Sequence, residues 1–362
     1  MKRNTFIDCA KLVYAIPIML VHSNYLAQGV YDWRTTPVIM PSGYVAVEFF
    51  FILSGFLMAS TAAKYAESKD KLGSEAASFV WTKVKIILPF YLVAWVLSFM
   101  VKHMSEQLSA RMMLKNAVYS FFAFFRVDMG GFIGYDPIGS GWYISAMLMI
   151  MLLIYPLLRC KRNVFVWSIA PLLTLFIYGY ISQTRGNISA ASVWIGLTYV
   201  GILRAIAGLS LGCTCHAITQ KIKTVMPTKL ASILLTILEV GCYIIPLIIM
   251  QIRKHTQLDF IMIFLFATAI TISFSGLSYS NRIFKKPYPW MAEMSLCIYL
   301  VHECGINFVK YFFPSYDLWK RLPIFVVFSL LVSILTYVGG NHLKVVWNKY
   351  KHKIAELLFI KP

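Results

Sequence analysis

Apolar and polar positions alternate along this chain in blocks far longer than one helical turn. Apolar runs fall at 11–28, 44–63, 84–102, 141–159, 163–181, 193–217, 229–251, 258–276, 290–311 and 323–343. Each is about 17–25 residues long, the length an α-helix needs to cross a hydrocarbon core about 30 Å thick. Pro and Gly interrupt several runs, which membrane helices tolerate because neighbouring groups satisfy the freed backbone. The pattern predicts an all-α, polytopic membrane protein of about ten transmembrane helices in one domain, with no soluble domain. The longest connection, 103–140, contains an amphipathic stretch from Arg111 to Phe125 and is expected to lie on the membrane surface or re-enter it.

Basic residues orient the spans. With the N-terminus inside, the inner segments carry Lys2, Arg3, Lys64, Lys69, Lys71, Lys83, Lys161, Arg162, Lys221, Lys223, Arg282, Lys285, Lys286 and a lysine-rich C-terminus. The short outer loops carry less: Arg34, Arg185, Arg253, Lys254, Lys320 and Arg321. This asymmetry places both termini in the cytoplasm. The first run, preceded by Lys2 and Arg3, lacks a small-residue cleavage site and is read as a retained span.

Composition supports the class. The 362 residues are 59% hydrophobic and 14% charged, with mean hydropathy +0.69, against about 25% charged in soluble domains. The net charge of +19 fits cytosolic loops facing anionic lipid. A nucleic-acid partner would need a soluble basic domain, and none is visible. Seven cysteines are scattered through apolar stretches, as buried free thiols often are. Cys213, Cys215 and His216 have no second half of a metal motif, so no metal is expected.

Polar residues inside the runs are the candidate chemistry, because ionisable groups are costly in a membrane and tend to line functional cavities. Lys11 and His22 are eleven residues apart on the first span, which brings them within about 20° of one face and about 16 Å apart along the axis. The topology puts Lys11 at the cytoplasmic end and His22 in the outer half. Glu48, on the second span, reaches a similar depth, where a carboxylate could orient the histidine as a general base. His302 and Glu303 fall in the outer half of the ninth span. Trp142, Tyr143 and Ser145 open the fourth at its outer side. Lys83 and Lys85 open the third at the cytoplasmic mouth beside Lys11. Each feature also has a structural reading. Histidines can hydrogen-bond a neighbouring helix, the lysines can snorkel to anionic lipid, Asp8 and Lys11 can form a helix-surface pair, and Arg204 and Glu239 near midplane can neutralise each other.

Several segments resemble one family in the same order. FIDCAKLVYAIPIMLVHSNY, GYVAVEFFFILSGFLMA, FVWTKVKIILPFY, SGWYISAMLMIMLLIYPLL and WMAEMSLCIYLVHECG are similar to spans of membrane acyltransferase family 3, over about 1–310. The resemblance implies transfer of an acyl group, usually acetyl, from cytosolic acyl-coenzyme A to a hydroxyl of a cell-envelope polysaccharide or lipid-linked sugar. It implies a location in the cell membrane, His22 as the essential histidine and Lys11 as a donor-binding residue. Lys83 and Lys85 stand where the family more often has arginines, whose fork lysine lacks, and Glu48 often corresponds to an aspartate. The expected catalytic set is His22, Glu48 and His302, with acetyl-CoA held by Lys11, Lys83 and Lys85. Ser54, Trp142, Tyr143 and Ser145 are candidates for the substrate and oxyanion contacts. A glycan exporter or flippase is the alternative, although such transporters often show inverted repeats and none is visible; a scaffold in a polysaccharide-synthesis complex is a third reading.

Overall fold

A computed structural model of the chain describes residues 3–27, 39–106, 109–121, 138–139, 141–252, 256–280 and 288–357. The described helices are α1 (Thr5–His22), α2 (Ala46–Ala62), α3 (Leu72–Glu106), α4 (Ala110–Phe121) and α5 (Trp142–Cys160). Then come α6 (Arg162–Arg185), α7 (Val200–Ile222), α8 (Lys229–Ile252), α9 (Leu258–Ser275), α10 (Pro289–Phe312) and α11 (Leu318–Leu357). Among the described residues, nine helical stretches are long and apolar enough to cross a membrane. The remaining predicted span, the ninth in chain order, is α10, whose 24 residues extend about 36 Å; it carries Glu293, His302, Glu303 and Lys310. The protein is an all-α polytopic membrane protein.

The boundaries differ from the apolar runs in three places. The sixth span begins at Val200, not 193, because Trp194–Ile195 and Thr198–Tyr199 pair as a small antiparallel hairpin. Gly196 turns it with φ +59°, a conformation that glycine adopts without a Cβ clash. The third and last spans continue as helix well beyond their apolar cores, to 35 and 40 residues. In the long connection, α4 coincides with the start of the amphipathic stretch; 107–108, 122–137 and 140 lie outside the described residues.

Burial sorts the helices into centre and rim. The apolar windows of α2 and α7 are 72% and 67% buried, those of α8 and α11 28%. The rim exposes side chains such as Phe176, Leu230, Ile237 and Leu335; a continuous apolar surface of this extent belongs in lipid, not water. At the centre, α2 and α7 touch backbone to backbone. A Cβ on Gly55 would collide with the Leu209 carbonyl, and one on Gly212 with the Ile52 carbonyl. Small residues permit such approach where helices associate by packing alone. The main core runs through α2, α3 and α5–α9 and takes in Tyr14 and Ile18 of α1, Tyr299, Leu300 and Val301 of α10 and Val332 of α11. A separate apolar cluster joins α1, α10 and α11 through Ala15, Met19, Ile298, Val309 and Phe325.

Candidate active site

Two polar clusters mark the ends of α1. At its start, Asn4 caps the helix by accepting the Ile7 N–H at 3.2 Å. Asp8, 3% exposed, accepts from Arg3 Nε at 2.5 Å and Lys11 Nζ at 3.0 Å. These residues line a cavity of about 310 Å3 that Ser60, Thr61 and Lys64 close from the end of α2 and Lys83 from α3. Four cations thus face the cavity with Asp8 as the acidic group among its lining residues. Lys85 is elsewhere. It is exposed, with its ammonium 5.9 Å from the face of Trp81. Residues two apart on a helix point about 200° apart, so Lys83 and Lys85 cannot both face one mouth, and the expectation for Lys85 is corrected.

At the other end of α1, His22 Nδ1 lies 2.6 Å from the Ile18 carbonyl. A carbonyl only accepts, so Nδ1 is the protonated nitrogen and Nε2 keeps its lone pair. His302 on α10 stands beside it, ring centroids 4.7 Å apart. It is fully buried, and neither of its ring nitrogens makes a well-formed hydrogen bond. Glu303 completes the group: one ligand atom from each of His22, His302 and Glu303 lies within 4.8 Å of the others. Gly139, at φ +61°, leaves no room for a side chain against the Glu303 carboxylate.

Glu48 does not orient His22, as the sequence suggested. Its carboxylate is fully buried and accepts from Arg204 Nε at 2.5 Å and Tyr178 OH at 2.5 Å. The Arg204 fork also donates to the carbonyls of Ile188 and Tyr44, both at 3.1 Å. The Trp142 ring covers the guanidinium, 5.2 Å from Cζ to centroid. Arg204 therefore neutralises Glu48 and not Glu239, which accepts from Ser273 at 2.5 Å and Ser280 at 3.0 Å. A buried carboxylate takes the partners that saturate it, and a guanidinium fork serves several acceptors at once. Depth along the span, which the sequence gives, does not choose among carboxylates.

A family model described as "Acyltransferase domain" matches residues 4–338. The chain belongs to membrane acyltransferase family 3. No curated protein and no solved structure matches the chain. The match and the helical bundle together make the protein a multi-pass membrane acyltransferase.

Within an acyltransferase, the remaining candidates sort by direction. Tyr143 on α5 is 3.4 Å from the Ser54 hydroxyl on α2. Its ring meets Tyr299 edge-on at 5.6 Å, and Tyr299 lies 5.9 Å from His302. Tyr143 and Ser54 thus join the imidazole pair through one aromatic row. Trp142 turns to Arg204 instead. Ser145 is buried on α5, about 200° round the helix from Tyr143. Sequence reasoning missed Lys64 and Arg3 as cavity residues, Tyr299 as a link and Arg204 as the partner of Glu48. The signal for Lys64 was its position at the end of the second span that lies level with Lys11 on the first.

Proposed function

We propose that the protein transfers an acyl group, acetyl in the simplest case, from cytosolic acyl-coenzyme A to a hydroxyl of a cell-envelope or lipid-linked glycan at the cell membrane. The observation that supports this reading is the placing of a cationic cavity and an imidazole pair at opposite ends of one helix. Phosphates of the donor sit on Arg3, Lys11, Lys64 and Lys83, where charge-assisted hydrogen bonds are strongest. The pantetheine arm follows α1 over the about 16 Å between Lys11 and His22.

His22 Nε2 takes the proton of the acceptor hydroxyl as its oxygen attacks the thioester carbonyl carbon. Collapse of the tetrahedral intermediate breaks the C–S bond. The departing thiolate receives the proton from the His22 imidazolium, which returns the base. The Ile18 carbonyl holds the ring in the tautomer this requires. His302, Tyr143 and Ser54 offer N–H and O–H donors for the developing oxyanion. Glu48 has no part in these steps.

His22→Gln, produced in a strain whose glycan acylation is read by mass spectrometry, loses about 10²–10⁴-fold in transfer, the range for a general base. Full acylation by correctly inserted His22→Ala would reject the mechanism.

A further inference from the structure

We propose that His22, His302 and Glu303 form a site for one divalent transition-metal ion of the zinc class, and that an ion bound there silences the base. The binding half stands on geometry alone; the inhibitory half rests on the reading of His22 as base.

Three observations carry the site. Two helices bring one ligand atom from each of the three residues within 4.8 Å of the others. Tetrahedral zinc with bonds of about 2.0–2.1 Å sets its ligand atoms about 3.3 Å apart, so the three atoms need to draw together by at most about 1.5 Å. Second, the His22 Nδ1–H is already taken by the Ile18 carbonyl at 2.6 Å. Metal-bound histidines are held the same way, with the far nitrogen on a backbone carbonyl or carboxylate and the near one on the ion. Third, His302 is fully buried with both nitrogens short of a good partner. An unsatisfied buried polar group is costly, and an ion would accept one of those lone pairs.

Two imidazoles and a carboxylate suit zinc, cobalt or nickel better than magnesium or calcium, which prefer all-oxygen shells. The sequence pointed elsewhere for a metal and expected none. Each member of that Cys213, Cys215 and His216 cluster has its own partner: the Gly55 carbonyl at 3.5 Å, the Ala267 carbonyl at 3.7 Å and Gln220 at 3.3 Å. An ion on His22 Nε2 uses the same lone pair that accepts the hydroxyl proton, so metal and catalysis exclude each other.

The test titrates chelator-washed, full-length protein in detergent with CoCl2. The expected result is one Co2+ per chain with the visible absorption of a four-coordinate ion. Glu303→Gln, which preserves shape, and His302→Asn each weaken binding at least about tenfold, the scale on which losses around metal sites are felt. ZnCl2 inhibits acyl transfer by the wild type, and Glu303→Gln, measured against its own uninhibited rate, needs about tenfold more. Absence of one-to-one Co2+ binding by the wild type, or binding equal in both variants, overturns the site. If His22→Gln is inactive in that case, the proposed mechanism survives without it. One-to-one zinc with undiminished transfer, or activity that zinc restores after chelation, keeps the site and overturns its inhibitory role together with His22 as base.

Discussion

At the scale of single residues, the pairing of Glu48 with Arg204 has the sharpest consequences. Removing one member of a buried ion pair leaves an uncompensated charge, at a cost of about 3–5 kcal/mol. Glu48→Gln should therefore lower the thermal unfolding midpoint in detergent, and Glu48→Gln with Arg204→Met should recover most of the loss. A Glu48→Gln protein as stable as the wild type but inactive would return the residue to His22. The lysines separate by direction. Lys11→Ala, Lys64→Ala and Lys83→Ala should each weaken acetyl-coenzyme A binding about tenfold, equivalent to about 1.4 kcal/mol. Lys85→Ala, its side chain facing away from the cavity, should bind as the wild type does, and calorimetry in detergent distinguishes the two groups. The chemistry of each residue was legible in the sequence, and so was depth: His22 and His302 were both placed in the outer half, and they meet. Lateral partners were not legible, because depth fixes one coordinate of three and the order of helices round the bundle fixes the rest. The Lys85 error was avoidable, since its about 200° offset from Lys83 follows from helical geometry alone.

Elements were legible to the extent that they are apolar. Each of the ten predicted runs contains a helix among its described residues, because a segment in lipid must satisfy its backbone internally. Ends were harder to place: α3 and α11 continue through polar sequence that hydropathy does not count, and the Trp194–Tyr199 hairpin is apolar without being helix. Contacts between elements depend on a few small residues. Gly212→Leu should force α2 and α7 apart, since its Cβ alone meets the Ile52 carbonyl and the Phe56 amide. The expected result is failure to accumulate folded protein, read by size-exclusion chromatography. Gly179→Ala is the control. Nothing lies within 4 Å of its added Cβ, and replacing a mid-helix glycine is worth about 0.5–1 kcal/mol in favour of the helix.

For the whole molecule, the balance of basic residues predicts that loops alternate sides with both termini in the cytosol. Alkaline phosphatase fused after Gly186 should be active and after Lys223 inactive; the reverse would invert the protein and move the cationic cavity to the wrong side for a cytosolic donor. Helices α3 and α11 would span about 53 and 60 Å if straight, more than the about 40–45 Å of a whole bilayer, so each must tilt, bend at its internal proline (Pro89, Pro323) or extend past the headgroups. Lys344 anchors α11 by bonding Glu293 at 2.9 Å and lying 4.0 Å over the Phe90 ring.

The glycine contact between α2 and α7 bears on where this bundle can yield. Two backbones pressed together have no rotamers to exchange, so sliding along that seam would cost collisions at every step. Helices α1 and α10 meet through side chains instead, partly in their own cluster around Ala15, Met19 and Ile298 and partly through Tyr14 and Tyr299 of the main core, and such a joint can shift by repacking. The imidazole pair straddles that joint. A few tenths of an ångström of slip there would be enough to change how the two rings face each other, while the rest of the scaffold stands still.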